Sequence, residues 1–272
     1  MPDNQLLTGI PVIRRARGFR LYDMKGRRYL DLFRDGALMG HRAAGSLTAM
    51  KSALSQGLAA ALPSVWETRL ISTLARSFPH YPQIRLYASS ERALDAVSRC
   101  LGGRPAALHD PALDGDPVGS APAGFWRPFL PPAAGVRVLL PLLPVRVGGA
   151  PAPACFAADV PRAVPVSDTI PAFILAGAVR GCAVLSRPNG DTDALSNPVV
   201  ERALDAAPGW ARVGPYVRAV FPREEYPRVH AEFLRAGVLL HPGYPGPSVL
   251  PGDCSPGETR LLADLFTGIP GG

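Results

Sequence analysis

Two adjacent serines, Ser89 and Ser90, stand directly before a segment at 91–101 that is predicted to be a helix. The first backbone N–H groups of a helix have no partner within the helix, and the helix dipole favours negative charge at that end. A serine hydroxyl adds a hydrogen-bond donor, so this turn could bind an anion such as a phosphate group. The serines could instead serve only as an N-cap, which stabilises a helix by about 1 kcal/mol.

His109 and Asp110, at the end of a short strand predicted at 106–109, could carry acid–base chemistry. A histidine satisfied inside the fold is the alternative interpretation of His109. The four cysteines form no Cys-x-x-Cys pair and the five histidines are never spaced i, i+4, so neither a disulfide framework nor a zinc site is indicated. Widely spaced cysteines and a polar start without a signal-peptide pattern predict reduced thiols and a cytoplasmic location.

Lysine is nearly absent, because Lys25 and Lys51 are the two lysines among 29 basic residues. A lysine amine can form an imine with an aldehyde, whereas the guanidinium of arginine stays protonated and is too weak a nucleophile. Imine chemistry in the rest of the chain therefore requires one of these two early lysines to reach the site.

The net charge of +7 is concentrated near the start of the chain, where residues 1–40 hold eight basic and four acidic side chains. Such a segment could contact nucleic acid or an acidic membrane surface. No nucleic-acid-binding module or interleaved aromatic pattern accompanies the charge, which favours a solvated face or a subunit contact. The apolar run at 170–179 is too short to span a bilayer. We therefore expect no nucleic-acid partner and no membrane partner.

The elements that position these residues alternate between strand and helix signals. Two strand-like runs flank Asp23-Met24-Lys25-Gly26, a favourable turn tetrad, and predict a hairpin at 18–33. Apolar residues recur at three- and four-residue spacing over two stretches, 43–61 and 64–77, which predicts two helices. Short strands are predicted at 84–88, 106–109, 136–140, 156–159 and 181–185. Their apolar residues alternate little with polar ones, which is typical of a largely parallel α/β sheet.

The last part of the chain changes character near residue 190. Helices are predicted at 198–207, 223–236 and 256–266, with strands between them at 211–221 and 238–241. The predicted fold class is α/β, with a mostly parallel sheet in a large domain at 46–190. An N-terminal segment at 1–45 and a C-terminal domain at 191–272 are predicted to build a small α+β domain.

Several motifs, taken in order, resemble the class III aminotransferases, which are fold-type I enzymes that use pyridoxal 5′-phosphate (PLP). The hairpin pattern Asp23-x-x-Gly26-x-x-Tyr29-x-Asp31, followed by a Gly-His pair at 40–41, resembles the opening of that family. The strand, turn and helix at 86–104 resemble the unit that carries the cofactor phosphate. The resemblance covers most of a chain that is shorter than typical members, with segments missing from the middle of the large domain.

The resemblance implies four cofactor-binding positions. Ser89 and Ser90 correspond to the phosphate turn, although Ser89 stands where the family has glycine and its Cβ would crowd a phosphate. Asp159 corresponds to the aspartate that pairs with the pyridine nitrogen and lets the ring act as an electron sink. An ordinary aspartate at the end of a strand is the alternative. Thr192 corresponds to a threonine that reaches the cofactor phosphate of the neighbouring subunit.

The Schiff-base lysine of the family falls near Phe173, between Asp168 and a strand predicted at 180–185, and this window contains no lysine. The sequence thus predicts a degenerate member without a catalytic residue of that kind, so that PLP, if bound, is not attached covalently. A structural or ligand-binding homodimer without transaminase activity is the first hypothesis. A non-covalent binder of PLP or of another phosphorylated molecule is the second, and an enzyme with a lysine-independent mechanism is the third.

Overall fold

The computed structural model describes residues 4–34, 36–41, 43–105, 108–114, 121–160, 163–185 and 197–268. The chain divides into two compact units. The terminal unit consists of Met1–Arg42 and Asp191–Gly272, and the central unit of Ala43–Gly190. Each unit has its own sheets and its own apolar core.

The secondary-structure elements follow one another along the chain in three groups. The terminal unit begins with α1 Asn4–Thr8, β1 Ile13–Arg17, β2 Arg20–Asp23 and β3 Arg28–Asp31. The central unit contains α2 Ala44–Ser55, α3 Val65–Ser77, β4 Gln83–Tyr87, α4 Ser90–Leu101, β5 Leu108–His109, β6 Ala123–Trp126, β7 Val138–Pro141, β8 Ala152–Phe156 and α5 Ala172–Leu185. The terminal unit is completed by α6 Pro198–Asp205, β9 Trp210–Val213, β10 Tyr216–Ala219, α7 Tyr226–Ala236, β11 Val238–Leu239, β12 Ser248–Val249 and α8 Pro256–Thr267.

The central unit is built on a five-stranded sheet in the order β4-β8-β7-β6-β5. The pairs β5/β6 and β6/β7 are parallel, whereas β8 is antiparallel to both of its neighbours, β7 and β4. Four of the five strands therefore run in one direction and β8 runs in the other. This arrangement confirms the α/β prediction with a sheet whose strands mostly share one direction.

Helices cover both faces of this sheet. Alternate residues of a strand point to opposite faces, so neighbouring residues of one strand pack against different helices. On one face, Leu139 of β7 and Leu86 of β4 lie in a buried cluster with residues of α3 and α5. On the other face, Leu140 and Val138 of β7 lie in a cluster with Val97 of α4. Both faces are buried, which explains why β7 and β8 read as continuous apolar runs.

The strand prediction at 181–185 is wrong, because these residues form the end of helix α5. A short apolar run cannot be assigned to a buried strand or a buried helix from periodicity alone. Within α5, Gly177 and Gly181 allow close packing: an added Cβ would lie 2.8 Å from Met50 and from Val145, respectively. The sequence did not predict strand β6. Strand β8 spans Ala152–Phe156, whereas the prediction placed a strand at 156–159.

The terminal unit contains the predicted hairpin and a second, smaller sheet. Strands β1, β2 and β3 form an antiparallel meander, and β11 adds to β3 in parallel. Strand β10 lies between β9 and β12, antiparallel to both. The core of this unit centres on Trp210, which packs edge-on against Phe221 and Phe266. None of the helices in the described residues is long and apolar enough to cross a membrane.

Candidate ligand-binding site

The carboxyl ends of β4, β5, β6 and β7 meet at one edge of the central sheet, because these strands share one direction. Ligands of open α/β sheets bind outside the carboxyl ends of the strands. Ser89 and Ser90 follow β4 at this edge, Asp110 follows β5 and Arg127 follows β6. We call it the carboxyl edge.

The start of α4 is capped by Ser89. Its backbone is extended, with φ −154° and ψ 164°, and its Oγ accepts a hydrogen bond of 3.3 Å from the backbone N–H of Arg92. The helix ends at Gly102, which adopts the left-handed conformation that closes helices. The N-cap interpretation of Ser89 is therefore confirmed.

Two carboxylates of the chain lie at this same helix start. Oδ2 of Asp168 accepts a hydrogen bond of 3.0 Å from the N–H of Ala88, and Oδ1 accepts one of 2.7 Å from Nη2 of Arg92. The hydrogen bond from Arg92 holds the pKa of the Asp168 carboxyl below its usual value. The pKa of Glu91 is also lowered, because its carboxylate accepts hydrogen bonds from its own N–H and from Ser89.

A pocket opens beside α4 at the carboxyl edge. Its volume is about 270 Å³ when space open to solvent is included. Its walls are largely apolar, and its polar side chains are the hydroxyl of Ser90 and the guanidinium of Arg146. The lining residues are Ser90, Ala93, Leu94, Phe125, Leu140, Pro141, Leu142, Arg146, Ala152 and Pro153. The guanidinium makes this pocket suited to an anionic group attached to an apolar body.

Neither lysine lines this pocket. Lys25 lies in the turn between β2 and β3 of the terminal unit, where its side chain is exposed. Lys51 lies on α2 of the central unit, and its side chain is exposed as well. Phe173, near the predicted lysine position, packs beside Ala49 and Ala53 of α2. The pocket therefore contains no primary amine to form an imine.

Asp159 is not brought together with the two serines. It follows β8, whose last residue Phe156 pairs with the first residues of β4 and β7, Gln83 and Val138. Asp159 thus lies at the opposite edge of the sheet, roughly 13 Å away along a five-residue strand. There its Oδ2 accepts a hydrogen bond of 2.9 Å from Arg137.

The structure does not bring Asp159 to the edge where Ser89 and Ser90 lie, and the reason is the reversed direction of β8. Sequence reasoning assigned the segment to a strand that runs with its neighbours, and strand direction depends on partners that are distant in the chain. Thr192, the fourth predicted position, lies outside the described residues.

His109 and Asp110 are held in a local network. Both carboxylate oxygens of Asp110 accept hydrogen bonds of 2.6 Å from Arg127, and Asp110 also accepts one from the N–H of Ala112. His109 is buried, its Nδ1 lies 3.7 Å from Asp114, and its Nε2 has no hydrogen-bond partner among the described residues. Sequence reasoning missed Arg127 because it missed β6, the strand that ends directly before it.

The acidic residues of the opening hairpin stabilise turns in the terminal unit. Oδ1 of Asp23 accepts hydrogen bonds from the N–H groups of Lys25 and Arg27. Oδ1 of Asp31 likewise accepts from the backbone of Arg34, while its Oδ2 lies 2.7 Å from Nε2 of His41. This motif therefore organises the fold. No group of three or more His, Cys, Asp or Glu side chains within the described part of the chain could hold a metal ion.

Comparison with known proteins relates this geometry to one fold. No protein-family model matches the chain. An uncharacterized protein from Treponema pallidum (strain Nichols) is 28% identical over an alignment of 291 positions, which covers 88% of this chain and 88% of that protein. A glutamate-1-semialdehyde 2,1-aminomutase from Syntrophus aciditrophicus (strain SB) is 31% identical over 98 residues, covering 35% of this chain and 23% of the aminomutase.

A solved structure extends the likeness to nearly the whole chain. The glutamate-1-semialdehyde-aminomutase from Pseudomonas aeruginosa PAO1 superposes with a TM-score of 0.66 at 16% identity, covering 95% of this chain and 87% of the other. The protein thus has the α/β fold of the class III aminotransferases, the PLP-dependent enzymes of fold type I. This likeness confirms the predicted fold.

Proposed function

We propose that this protein is a class III aminotransferase-like homodimer that does not transaminate and that binds a small organic anion without a covalent bond. One observation carries the proposal: the pocket at the carboxyl edge is lined by a guanidinium, that of Arg146, and by no lysine. Transamination through an imine needs a primary amine that holds the aldehyde and then moves the α-proton. A permanently protonated guanidinium does neither, but it binds carboxylate and phosphate groups well.

The strand order supports a different assignment of the family motifs, in which each motif belongs to the strand one position earlier in the chain than predicted. In the family, the strand that follows the Schiff-base lysine has the pattern Gly-x-Pro-x-Gly-Ala. The resemblance assigns this strand to residues 180–185, which lie on helix α5. The segment 149–154 fits the same pattern, with Pro153 in place of the second glycine, and it leads into and begins β8. On this mapping the lysine position falls between β7 and β8, where Pro144 and Arg146 stand.

The same shift moves the other motifs back by one strand. On this mapping the aspartate for the pyridine nitrogen corresponds to Arg127 after β6 and no longer to Asp159. Arg127 offers no carboxylate to a protonated pyridine nitrogen, and its guanidinium is already paired with Asp110.

The residues at the carboxyl edge therefore do not fit PLP. The pocket lacks an amine, the position for the ring nitrogen carries a cation, and the start of α4 already holds the carboxylates of Asp168 and Glu91. We assign no step of a reaction to PLP in this protein. Lysine-independent acid–base chemistry at His109 and Asp110 gains no support either, because Arg127 binds both oxygens of the Asp110 carboxylate.

The walls of the pocket favour an organic carboxylate with an apolar body. Phe125, Leu140 and Leu142 offer apolar contacts, and Arg146 with Ser90 offers donors for the charged end. A carboxylate accepts stronger hydrogen bonds from a guanidinium than an uncharged analogue of the same shape does, so charge should decide affinity.

The homodimer is proposed by analogy with the family, which builds its sites across a two-fold interface. The basic N-terminal segment is partly neutralised within its own unit, since Arg20 pairs with Glu258 and with Asp253. This pairing supports our expectation that neither nucleic acid nor a membrane is the partner. Sedimentation equilibrium tests the dimer.

Two measurements test the proposal on the full chain. Benzoate should bind more tightly than benzamide by isothermal titration, and Arg146→Gln should abolish that preference while Arg180→Gln, on the exposed side of α5, should keep it. An assay for amino-group transfer from an amino acid to a keto acid, with PLP added, should stay at background. Transfer above background, or PLP fixed by borohydride to Lys51 or Lys25 in proportion to activity, would contradict the proposal.

A further inference from the structure

The segment that precedes α5 lies along the end of β4. The hydroxyl of Tyr87 donates a hydrogen bond of 3.0 Å to the carbonyl of Pro165. Oγ of Ser167 accepts one of 3.1 Å from the N–H of Leu86, and the N–H of Asp168 donates one of 2.9 Å to the carbonyl of Leu86. These three contacts hold the backbone of residue 168 beside the turn that joins β4 to α4.

From this position the Asp168 side chain reaches over the turn. Its carboxylate accepts from the N–H of Ala88 at 3.0 Å and from Nε and Nη2 of Arg92 at 3.3 and 2.7 Å. The side chain is only 19% exposed. An anion supplied by the chain itself is thus seated at the start of α4, between a backbone donor and a guanidinium.

We propose that Asp168 is an internal ligand that takes the place of a cofactor phosphate in the turn between β4 and α4. A carboxylate at this point lies at the positive end of the α4 dipole, accepts from the N–H of Ala88 and pairs with the guanidinium of Arg92. It also ties the lead-in of α5 to β4 and α4. The large domain is therefore completed without a bound cofactor.

This inference deepens the proposed function and rests on it, because it explains how the fold persists without PLP. It makes a separate prediction, however. Inorganic phosphate probes anion binding at the turn between β4 and α4, and it does not test which ligands bind beside Arg146. Failure here would leave the benzoate and transamination results unaffected.

The test is the effect of inorganic phosphate on thermal unfolding, compared with chloride at equal ionic strength. Phosphate should leave the melting temperature of the wild-type protein unchanged. Asp168→Asn removes the negative charge beside Arg92 and the N–H of Ala88, and in this variant phosphate should raise the melting temperature by about 2–4 °C. Asp95→Asn removes a carboxylate that pairs with Arg92 on the exposed side of α4, and it should behave like the wild type.

A phosphate response of equal size in the wild-type protein would overturn the inference, and so would a folded Asp168→Asn protein that does not respond. If the Asp168→Asn variant does not fold, an NMR titration of the wild-type protein tests the inference instead. The amide proton resonance of Ala88 should shift as the Asp168 carboxyl titrates in acid, with a midpoint below the usual range for aspartate. An Ala88 amide that shows no such titration would also overturn it.

Discussion

Nη2 of Arg92, in the first turn of α4, lies 2.7 Å from Oδ1 of Asp168, which is 76 residues further along the chain. This ion pair joins the turn after β4 to the segment before α5. In the class III fold that turn belongs to the cofactor phosphate by resemblance, and here it is closed by a side chain of the protein. Under the proposed function, this ion pair supplies the negative charge that a cofactor phosphate would otherwise bring to the start of the helix.

The Asp168 pair makes stability depend on pH. Because the folded pKa of Asp168 is depressed, its contribution is complete above the pKa of an unfolded aspartate, about 3.9, and is lost as pH falls through the lower folded value. Asp168→Asn should lower the melting temperature at pH 7 by about 2 °C, a small effect because Arg92 is largely solvated. Melting curves at pH 7 and pH 3 should show this difference shrinking in acid; a constant difference would contradict the assignment.

Glu258 should contribute more strongly to the terminal unit. Burial alone would raise its pKa, but hydrogen bonds from Arg20 and from Ser255 lower the pKa to about 2. Glu258→Gln should reduce the free energy of unfolding by about 2–4 kcal/mol at pH 7, because Arg20 and the N-terminal turn of α8 lose their partner. The depressed pKa places the loss between about pH 4.5 and pH 2, with full stabilisation above that range.

Urea unfolding at pH 7 and at pH 3 measures the Glu258 contribution. Glu232→Gln is the matched control, since within the described part of the chain Glu232 makes a single, exposed ion pair, with Arg228 on α7. Equal losses of unfolding free energy in the two variants would show that the buried Glu258–Arg20 pair stabilises the protein no more than the exposed Glu232–Arg228 pair.

An amine placed in the pocket should recover imine formation. In a Lys25→Arg/Lys51→Arg background, Arg146→Lys would put a lysine against apolar walls, which lower a lysine pKa and expose more neutral amine at pH 7. Reductive trapping of benzaldehyde, followed by intact mass, should be about tenfold faster than for Arg180→Lys in the same background. Equal trapping rates at the two sites would mean that position 146 does not face an apolar pocket.

The two glycines of α5 should differ in their tolerance of alanine. A Cβ at Gly181 would lie 2.8 Å from Cγ2 and 3.1 Å from Cβ of Val145, a stiff side chain, whereas a Cβ at Gly177 would meet the flexible end of Met50. Gly181→Ala should therefore cost about 1–3 kcal/mol. Gly177→Ala should change stability by less than about 1 kcal/mol, because the gain in helix propensity offsets the adjustment of Met50. Urea unfolding of both variants measures which substitution lowers the free energy of unfolding more.

Local features could be predicted because their causes lie within a few residues. Ser89 caps α4 and Gly102 ends it, and both signals stand next to the helix in the sequence. The hairpin turn at Asp23–Gly26 likewise needs only the Asp23 side chain and a glycine with positive φ. The shortage of lysine is a property of composition, so the sequence alone indicates that an imine mechanism would require Lys25 or Lys51 to reach the site.

Tertiary structure decided what depends on distant partners. Strand β8 runs against its neighbours, and this reversal sends Asp159 to the edge opposite Ser90. The apolar run at 172–185 became a helix because α2 and the Val145 segment pack against its glycines, which no local pattern records. Asp168 reached the start of α4 by the pairing of its segment with Leu86. The sequence by itself determined how scarce lysine is and where the local caps and turns lie, whereas the packing of elements far apart in the chain determined which residues meet at the carboxyl edge.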